Sequence, residues 1–228
     1  MTSKFDAVVF DMDGLLVDSE TVWHLAETAM IEARGEVYTD EVRANIIGKR
    51  MDALLAYLRE VYGFEDTLAT LNDELIERML ALIPQKVEPQ PGAQALIEYV
   101  IAQDVPYAIA SSSAMAIIES VVQSQGWERH FEVLCSADDD EHGKPAPDVY
   151  LRAARLLGVE PSRCLALEDS PTGARAAVAA GMTCYAVPDT SHSEPAALEA
   201  ITPHVFESLH QVLEKLQRDR SISHSDRN

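Results

Sequence analysis

The chain has 228 residues, of which 47% are hydrophobic and 25% charged, a composition that supports a soluble globular fold without disulfide bonds or a structural metal. Its 18 basic and 38 acidic residues give a net charge of −20, which argues against nucleic acid or an anionic membrane as a partner. The N-terminal residues do not form a signal peptide, and no apolar run is long enough to span a membrane. We therefore expect a cytoplasmic protein.

A short apolar segment, residues 5–10, opens the chain and is predicted to be a buried strand that ends in a turn. Residues 19–86 then show no strand pattern. Their apolar residues recur with helical spacing over 20–34, 41–47, 52–62 and 67–83. We predict a helical cap at 19–86, inserted into an α/β core formed by 1–18 and 87–217. Such an insertion lies over the carboxyl end of the sheet, where open α/β sheets bind their ligands.

Beyond a proline-rich segment at 84–92, strand patterns alternate with helical patterns. The strands are predicted over 107–110, 131–134, 164–167 and 183–187. The helices are predicted near 96–101, 115–126, 147–158 and 171–181. This alternation predicts an α/β fold, a doubly wound parallel sheet of the Rossmann-like type with helices on both faces. The polar tail over 218–228 lacks an apolar face and is predicted to be disordered.

Asp11 and Asp13 directly follow the first predicted strand. Residues two apart on an extended chain point the same way, so the two carboxylates can share one pocket. Two carboxylates at close range both stay ionised only beside a cation, and otherwise one of them keeps its proton. Taken alone, the pair fits an acidic turn before Gly14 equally well.

A second acidic pair, Glu168 and Asp169, follows the strand predicted at 164–167. On its own this pair has an ordinary explanation, because Asp169 or Ser170 could cap a helix that begins at Pro171. In a parallel sheet, however, the carboxyl ends of the strands share one edge, so all four carboxylates are expected at the same crevice. Oxygen ligands that converge in this way favour Mg²⁺.

Two further segments lie where predicted strands end. Ser111, Ser112 and Ser113 offer hydroxyl and backbone N–H groups to an anion, although an ordinary helix cap explains them as well. Lys144 lies in a turn before a helix. Most lysines are solvated, but a cation beside an acidic pocket can neutralise a carboxylate and a phosphoryl group. Together these groups predict phosphoryl transfer, and spacing alone does not say which aspartate attacks phosphorus and which acid protonates the leaving oxygen.

Four segments together resemble the motifs of the haloacid dehalogenase-like hydrolase superfamily. They are residues 11–20, 110–113, 143–148 and 167–173. The resemblance extends to about residue 217 and is closest to the branch with a helical cap after the first motif, which includes β-phosphoglucomutase and sugar-phosphate phosphatases. It implies that Asp11 is the nucleophile and a metal ligand, and that Asp13 is the general acid and base. The acid at Asp13 favours phosphate esters over haloacids, because a halide leaves without a proton.

The remaining motifs carry further implied roles. Ser111 and the backbone of Ser112 are expected to hold the phosphoryl group, and Lys144 to bridge the nucleophile and the phosphate. Asp169 is expected to complete the Mg²⁺ site, with Glu168 as a direct or water-mediated ligand. The backbone carbonyl of Asp13 is implied to bind the same ion.

The predicted cap departs from the mutase pattern. β-Phosphoglucomutase has a histidine at the position of Trp23 and a phosphate-binding arginine at the position that Met51 takes here. Trp23 is a candidate to stack on a sugar face, with packing of the cap as the alternative. Arg50, with Lys49, is a candidate substrate residue that could supply a second anion site, with simple solvation as the alternative.

We therefore predict a Mg²⁺-dependent phosphatase of a small phosphorylated metabolite, a sugar phosphate, acting as a monomer. One alternative is a sugar phosphomutase, which would need a second anion site in the cap. Another is a phospho-accepting signalling module, against which Asp13 and the cap both argue.

Overall fold

The computed structural model describes residues 4–47, 49–189 and 195–219. Within these ranges the strands are β1 (Ala7–Phe10), β2 (Val17–Asp18), β3 (Glu88–Pro89), β4 (Tyr107–Ser111), β5 (Leu134–Ser136), β6 (Cys164–Glu168) and β7 (Thr183–Ala186). Five of them form a parallel sheet in the order β5-β4-β1-β6-β7. The predicted parallel α/β sheet is confirmed, and the carboxyl ends of its strands lie along one edge.

The helices of the described residues are α1 (Glu20–Glu32), α2 (Asp40–Ile46), α3 (Met51–Tyr62), α4 (Leu68–Lys86), α5 (Ala93–Ala102), α6 (Met115–Ser124), α7 (Asp148–Leu157), α8 (Pro171–Ala179), α9 (Pro195–Glu199) and α10 (Leu209–Asp219). None of them combines the length and the apolar character needed to cross a bilayer.

The sheet is buried on both faces, because alternate residues of each strand point to opposite sides. Val8 and Phe10 of β1 belong to a hydrophobic cluster that includes α5, α6 and α10. Ala7 and Val9 belong to a second cluster, which includes α7, α8 and α9. This second cluster is rich in alanine, and small side chains let α7 and α8 pack closely on the strands. The strands are therefore closely packed on both faces.

Four helices, α1 to α4, lie between β2 and β3 in the chain. Their buried residues recur at helical spacing, as Leu71, Leu75 and Met79 do in α4, and join the same hydrophobic cluster as one face of the sheet. β2 and β3 pair antiparallel, with Val17 opposite Pro89, so the chain enters and leaves this helical segment side by side.

Some predicted elements differ from the structure. The strand predicted at 131–134 is wrong: β5 begins at Leu134, and Phe131 instead packs edge-to-face on Phe10, with ring centroids 5.8 Å apart. The first two residues of the predicted disordered tail, Arg218 and Asp219, end α10, where Lys215 pairs with Asp219 at 2.7 Å. Residues 220–228 lie outside the described ranges, so disorder there stays a prediction.

Candidate active site

Adjacent strands bring acidic side chains to one edge of the sheet. Asp11 directly follows β1, and its backbone N–H donates to the carbonyl of Leu167 at 2.9 Å, which continues the pairing of β1 with β6 beyond the end of β1. Glu168 is the last residue of β6, and Asp169 follows it. Asp11 and Asp169 are 5% and 8% exposed, and Glu168 is fully buried. Side chains from distant parts of the chain therefore meet in a space that is largely closed to water.

Lys144 bridges two of these carboxylates. Its Nζ lies 2.5 Å from Oδ1 of Asp11 and 2.7 Å from Oε1 of Glu168. The same ammonium donates to the carbonyl of Ala110 at 3.1 Å. Tyr150 donates its hydroxyl to Oε1 of Glu168 at 2.6 Å, so that oxygen accepts from both side chains. Since the Lys144 side chain is only 5% exposed, its charge acts on these partners with little screening by water.

The single ammonium does not neutralise the whole cluster. Burial works against the charge of Glu168, yet Lys144 and the hydroxyl of Tyr150 hold its pKa below the ordinary value. Burial also opposes the charge of Lys144, but Asp11 and Glu168 raise its pKa. Burial raises the pKa of Asp11 well above its ordinary value, and burial together with the charge of Asp11 does the same for Asp169. The site is therefore short of positive charge.

A divalent cation fits this donor set. Asp11, Glu168 and Asp169 each offer a carboxylate oxygen, and these oxygens lie within 4.8 Å of one another. Hard oxygen ligands of this kind suit Mg²⁺, which would also supply the missing positive charge. The chain keeps the space clear at Gly14, which has φ +82°, and where a Cβ would fall 2.3 Å from Oδ2 of Asp169.

Asp13 is hydrogen-bonded by several donors. Ser19 donates to its Oδ1 at 2.6 Å, and the indole N–H of Trp23 points to the same oxygen at 3.4 Å. Ser111 and Ser113 donate to Oδ2 at 2.9 and 2.8 Å. One pair of donors comes from the start of the helical segment and the other from the end of β4, so the position of this carboxylate depends on both parts of the protein.

A cavity of about 490 Å³ lies between the sheet edge and helices α1 to α3. From the sheet side it is lined by Asp11, Asp13, Ser112, Ser113, Lys144 and Asp169. From the helical side it is lined by Glu20, Trp23, Glu27, Lys49, Met51 and Leu54, among others. Glu20, Trp23 and Glu27 are three and four residues apart and so share one face of α1. The carboxylate edge therefore faces a partly open cavity that is large enough for a small molecule.

Burial raises the pKa of two glutamates of this helical wall. Glu27 is only 5% exposed and accepts a hydrogen bond from the hydroxyl of Tyr38 at 2.5 Å. Glu20 lies 3.7 Å from the guanidinium of Arg43. Desolvation raises the pKa of each glutamate to about 7.

The structure does not bring Arg50 to the cavity. Its guanidinium pairs with the carboxylate of Asp52 and donates to the backbone carbonyl of Asp140 at 3.3 Å. Lys49 does line the cavity, with its Nζ 5.1 Å from the ring centre of Tyr57. Trp23 also lines it, so of the two candidate substrate residues only Trp23 faces the space a substrate would fill.

Several site residues have a place in the structure that the sequence did not predict. Ser113 belongs to the serine segment predicted to bind an anion, but its hydrogen bond to Asp13 depends on the loop after β4. Tyr150 reads as an ordinary core residue of α7. Asp189 follows β7, and its Oδ2 would lie 3.5 Å from a Cβ at Gly14. Glu20 and Glu27 lie three and four residues from Trp23, and this helical spacing indicates that they share its face of α1 and so line the cavity with it.

Comparison with known proteins identifies the family of this chain. A model of the haloacid dehalogenase-like hydrolase family matches residues 5–181. The chain is 33% identical over 200 residues to a protein of Drosophila melanogaster named "Probable pseudouridine-5'-phosphatase", covering 84% of this chain and 85% of that one. It is 32% identical over 185 residues to hexitol phosphatase B of Escherichia coli K12, covering 80% and 83% of the two chains.

The fold matches solved structures as well. The crystal structure of CbbY from Rhodobacter sphaeroides in complex with phosphate aligns with a TM-score of 0.80 and 25% identity, covering 91% of this chain and 96% of that one. The family match spans well over half of the chain and includes β1 and β6, which precede Asp11 and Asp169, and the turn before α7 that holds Lys144. The chain belongs to the haloacid dehalogenase-like hydrolase family.

Proposed function

We propose that this protein is a Mg²⁺-dependent phosphatase that hydrolyses the phosphate ester of a small sugar or sugar-like metabolite through an aspartyl-phosphate on Asp11. One observation carries the proposal. Three buried carboxylates with oxygens within 4.8 Å of one another meet one buried ammonium at the mouth of a cavity. Such a site suits a dianionic phosphate held beside a cation, with a carboxylate in reach of phosphorus.

In the first half of the reaction, a carboxylate oxygen of Asp11 forms a bond to phosphorus while the bond from phosphorus to the ester oxygen breaks. Asp13 gives its proton to that leaving oxygen. Lys144, held by Asp11 and Glu168, offers positive charge to the oxygens of the transferring group. Ser111 and the backbone of Ser112 are proposed to hold the same group. Bound at Asp11, Asp169 and Glu168, Mg²⁺ would neutralise the charge of the phosphoryl oxygens and the carboxylates.

In the second half, water attacks the phosphorus of the aspartyl-phosphate. Asp13, now ionised, takes a proton from that water as the bond between phosphorus and Asp11 breaks. Inorganic phosphate leaves, and Asp11 and Asp13 return to their starting states. Ser19, Trp23, Ser111 and Ser113 surround Asp13, and this supports its role because an acid and base must be held in place for both steps.

The helical segment, residues 19–86, is proposed to act as the cap that encloses the substrate. It provides the wall formed by Glu20, Trp23 and Glu27, and its two ends meet at the paired strands β2 and β3. The names of the relatives, a pseudouridine-5'-phosphatase and a hexitol phosphatase, support a substrate that joins one phosphate to a hydroxylated body.

The test is phosphate release from purified protein after removal of metal with EDTA and addition of MgCl₂. The panel contains hexose phosphates, hexitol phosphates, nucleoside monophosphates and phosphoglycolate, with Asp11→Asn as the control. We expect Mg²⁺-dependent release from hydroxylated monophosphates and none from the variant. No release from any member of the panel, or equal release by the variant, would refute the proposal. Isomerisation of a hexose phosphate without net phosphate release would show a mutase instead.

A further inference from the structure

Acidic side chains outnumber basic ones on both walls of the cavity. Five acidic and two lysine side chains line it in the described part of the chain. Lys144 is already bound by Asp11 and Glu168. This leaves Lys49 as the one remaining cation of the lining, and it is exposed. The helical wall therefore faces a substrate with Glu20, which follows the Ser19 that donates to Asp13, and with Glu27, about two turns farther along α1.

These two glutamates are suited to receive hydroxyl groups. In the described residues, the hydroxyl of Tyr38 is the hydrogen-bond donor to Oε2 of Glu27, and the side chain is buried yet lines the cavity. A buried carboxylate oxygen without a full set of donors is costly, and a substrate hydroxyl would complete it. Trp23 lies between the two glutamates on the same face of α1 and offers an aromatic surface to C–H groups.

The same wall disfavours a second negative charge. Above pH 7, where Glu20 and Glu27 are ionised, a carboxylate or second phosphate on the substrate would lie beside two negative charges, and in the described part of the chain Lys49 is the one cation of this wall that could offset them. Arg50, which could have neutralised such a group, pairs with Asp52 outside the cavity lining. Arg43 lies near Glu20 and is used in part by that carboxylate, so it adds little attraction for an anion.

Resting on the proposed phosphatase function, we propose that Glu20 and Glu27 are the specificity residues of this site. They select phosphate monoesters whose remaining body is an uncharged polyol and reject substrates with a second anionic group. The distinguishing feature of the substrate is therefore a chain or ring of hydroxyl groups that donate hydrogen bonds to the α1 wall.

The first experiment compares two substrates that differ at one end only. Sorbitol 6-phosphate and 6-phosphogluconate share the phosphate, the chain length and most hydroxyls, but the second carries a carboxylate. With Mg²⁺ present and at a pH well above 7, where both glutamates are ionised, we expect kcat/KM to favour sorbitol 6-phosphate by more than tenfold, mainly through KM. Equal kcat/KM values, or a preference for 6-phosphogluconate or for a hexose bisphosphate, would overturn the proposal.

The second experiment changes the wall. Glu27→Gln and Glu20→Gln keep the size of each side chain and remove its charge. We expect each to reduce the preference for sorbitol 6-phosphate over 6-phosphogluconate by about tenfold, because the variant no longer places a negative charge beside the carboxylate of 6-phosphogluconate. Glu32→Gln is the matched control, because it makes the same change at an exposed position of the same helix and should leave the preference as it is. An unaltered preference in both cavity variants would overturn the proposal.

A third comparison separates hydroxyl recognition from recognition of a cation. Glucosamine 6-phosphate and glucose 6-phosphate differ in an amine that is positively charged at neutral pH. Similar kcat/KM values support a polyol, whereas a preference of tenfold or more for the amine would overturn the proposal in favour of a cationic substrate. p-Nitrophenyl phosphate distinguishes failure of this inference from failure of the proposed function. Its hydrolysis without discrimination among the sugar substrates refutes the inference alone, and no hydrolysis of any ester refutes the phosphatase.

Discussion

Gly173 lies so close to Glu168 that a Cβ on the glycine would fall 1.7 Å from Oε1 of the carboxylate. Gly173 is in the first turn of α8, where Ser170 caps the helix by accepting a hydrogen bond from the backbone N–H of Gly173 at 3.0 Å. The backbone N–H groups of Asp169 and Ser170 donate to the other oxygen, Oε2, of Glu168 at 3.1 and 3.3 Å. The start of α8 therefore packs closely on the Glu168 carboxylate, which pairs with Lys144, and donates hydrogen bonds to it.

Replacing Gly173 with alanine should displace Glu168. Alanine favours a helix over glycine by about 1 kcal/mol, so an unobstructed site would gain stability from this change. Here we expect a loss of about 1–3 kcal/mol and a fall in kcat/KM of at least tenfold, because Glu168 must move away from Lys144. Chemical unfolding and phosphate release measure the two effects. Gly126→Ala is the control. A Cβ at this position has no atom within 4 Å, so the variant has only the backbone strain of φ +71°, and we expect its activity to equal that of the parent. A stabilised, active Gly173→Ala protein would contradict the fit.

Lys144→Met should strongly destabilise the protein. The change leaves Asp11 and Glu168 in a buried space without the ammonium that pairs with both. Loss of one partner from a buried ion pair costs about 3–5 kcal/mol, because the remaining charge is uncompensated. The double variant Lys144→Met with Glu168→Gln should recover part of that loss, since it removes the unpaired charge of Glu168. Urea unfolding without added metal measures both proteins, and equal stability of the single and double variants would count against this account.

Mg²⁺ should raise the thermal unfolding midpoint of the protein, because the ion would bind the folded carboxylate cluster and not the unfolded chain. A concentration one hundred times the dissociation constant stabilises by about 2.7 kcal/mol. Asp169→Asn should abolish most of this rise. With a net charge of −20, ordinary salt screening also stabilises the protein, so Asp73→Asn, at an exposed position of α4, serves as the control for charge alone. A rise of the same size in Asp169→Asn and in the control would show screening rather than binding.

The sheet and the meeting of Asp11 with Asp169 could be predicted from the sequence because both depend on local patterns. Short apolar runs with acidic ends predict strands, and parallel pairing then brings those ends together whatever lies between them. The two-residue strands β2 and β3 could not be predicted in this way. Their pairing of Val17 with Pro89 is fixed by the tertiary position of the helical segment, and two residues carry no periodic signal.

The helical wall of the cavity illustrates the same limit. A glutamate in an amphipathic helix normally indicates a solvated face, and nothing near Glu27 in the sequence contradicts that interpretation. Its burial depends on Tyr38, which lies beyond the end of α1 and reaches back to it. Likewise, Arg50 could be placed near the cavity by sequence position, but its direction is set by Asp52 and by the carbonyl of Asp140, ninety residues away.

Ser113→Ala should reduce kcat more than it changes KM. Ser113 donates to Oδ2 of Asp13 at 2.8 Å, beside the bond from Ser111. General acid and base catalysis is worth about 10²–10⁴ in rate, so loosening one of several donors to Asp13 should lower kcat by about tenfold. Steady-state kinetics on the best substrate of the panel, repeated across pH, measures the change. Ser124→Ala removes a hydroxyl bonded to the Val121 carbonyl within α6 and should leave kcat as in the parent protein. A selective rise in KM for Ser113→Ala would assign this hydroxyl to substrate binding instead.

Relative to the parent, the Glu27→Gln variant should be more stable at alkaline pH than it is at acidic pH. Burial raises the pKa of Glu27 from 4.5 to about 7, so the unfolded chain releases this proton at a lower pH than the folded protein does. Above pH 4.5, ionisation of Glu27 therefore favours the unfolded chain. The free energy of unfolding falls as the pH rises and levels off once the pH passes about 7. At about 1.4 kcal/mol for each pH unit between the two pKa values, the loss that develops between pH 5 and pH 8 is about 2–3 kcal/mol.

Glutamine cannot ionise, and its side-chain carbonyl can still accept the hydrogen bond from Tyr38. The difference in unfolding free energy between Glu27→Gln and the parent should therefore shift in favour of the variant by about 2–3 kcal/mol from pH 5 to pH 8. Urea unfolding at the two pH values measures this difference, in which the effects of all other titrating groups largely cancel. Glu32→Gln should show no such shift, because that side chain is exposed on the same helix. The same difference at both pH values for Glu27→Gln would mean that Glu27 titrates as a solvated carboxylate and that the α1 wall is open to water.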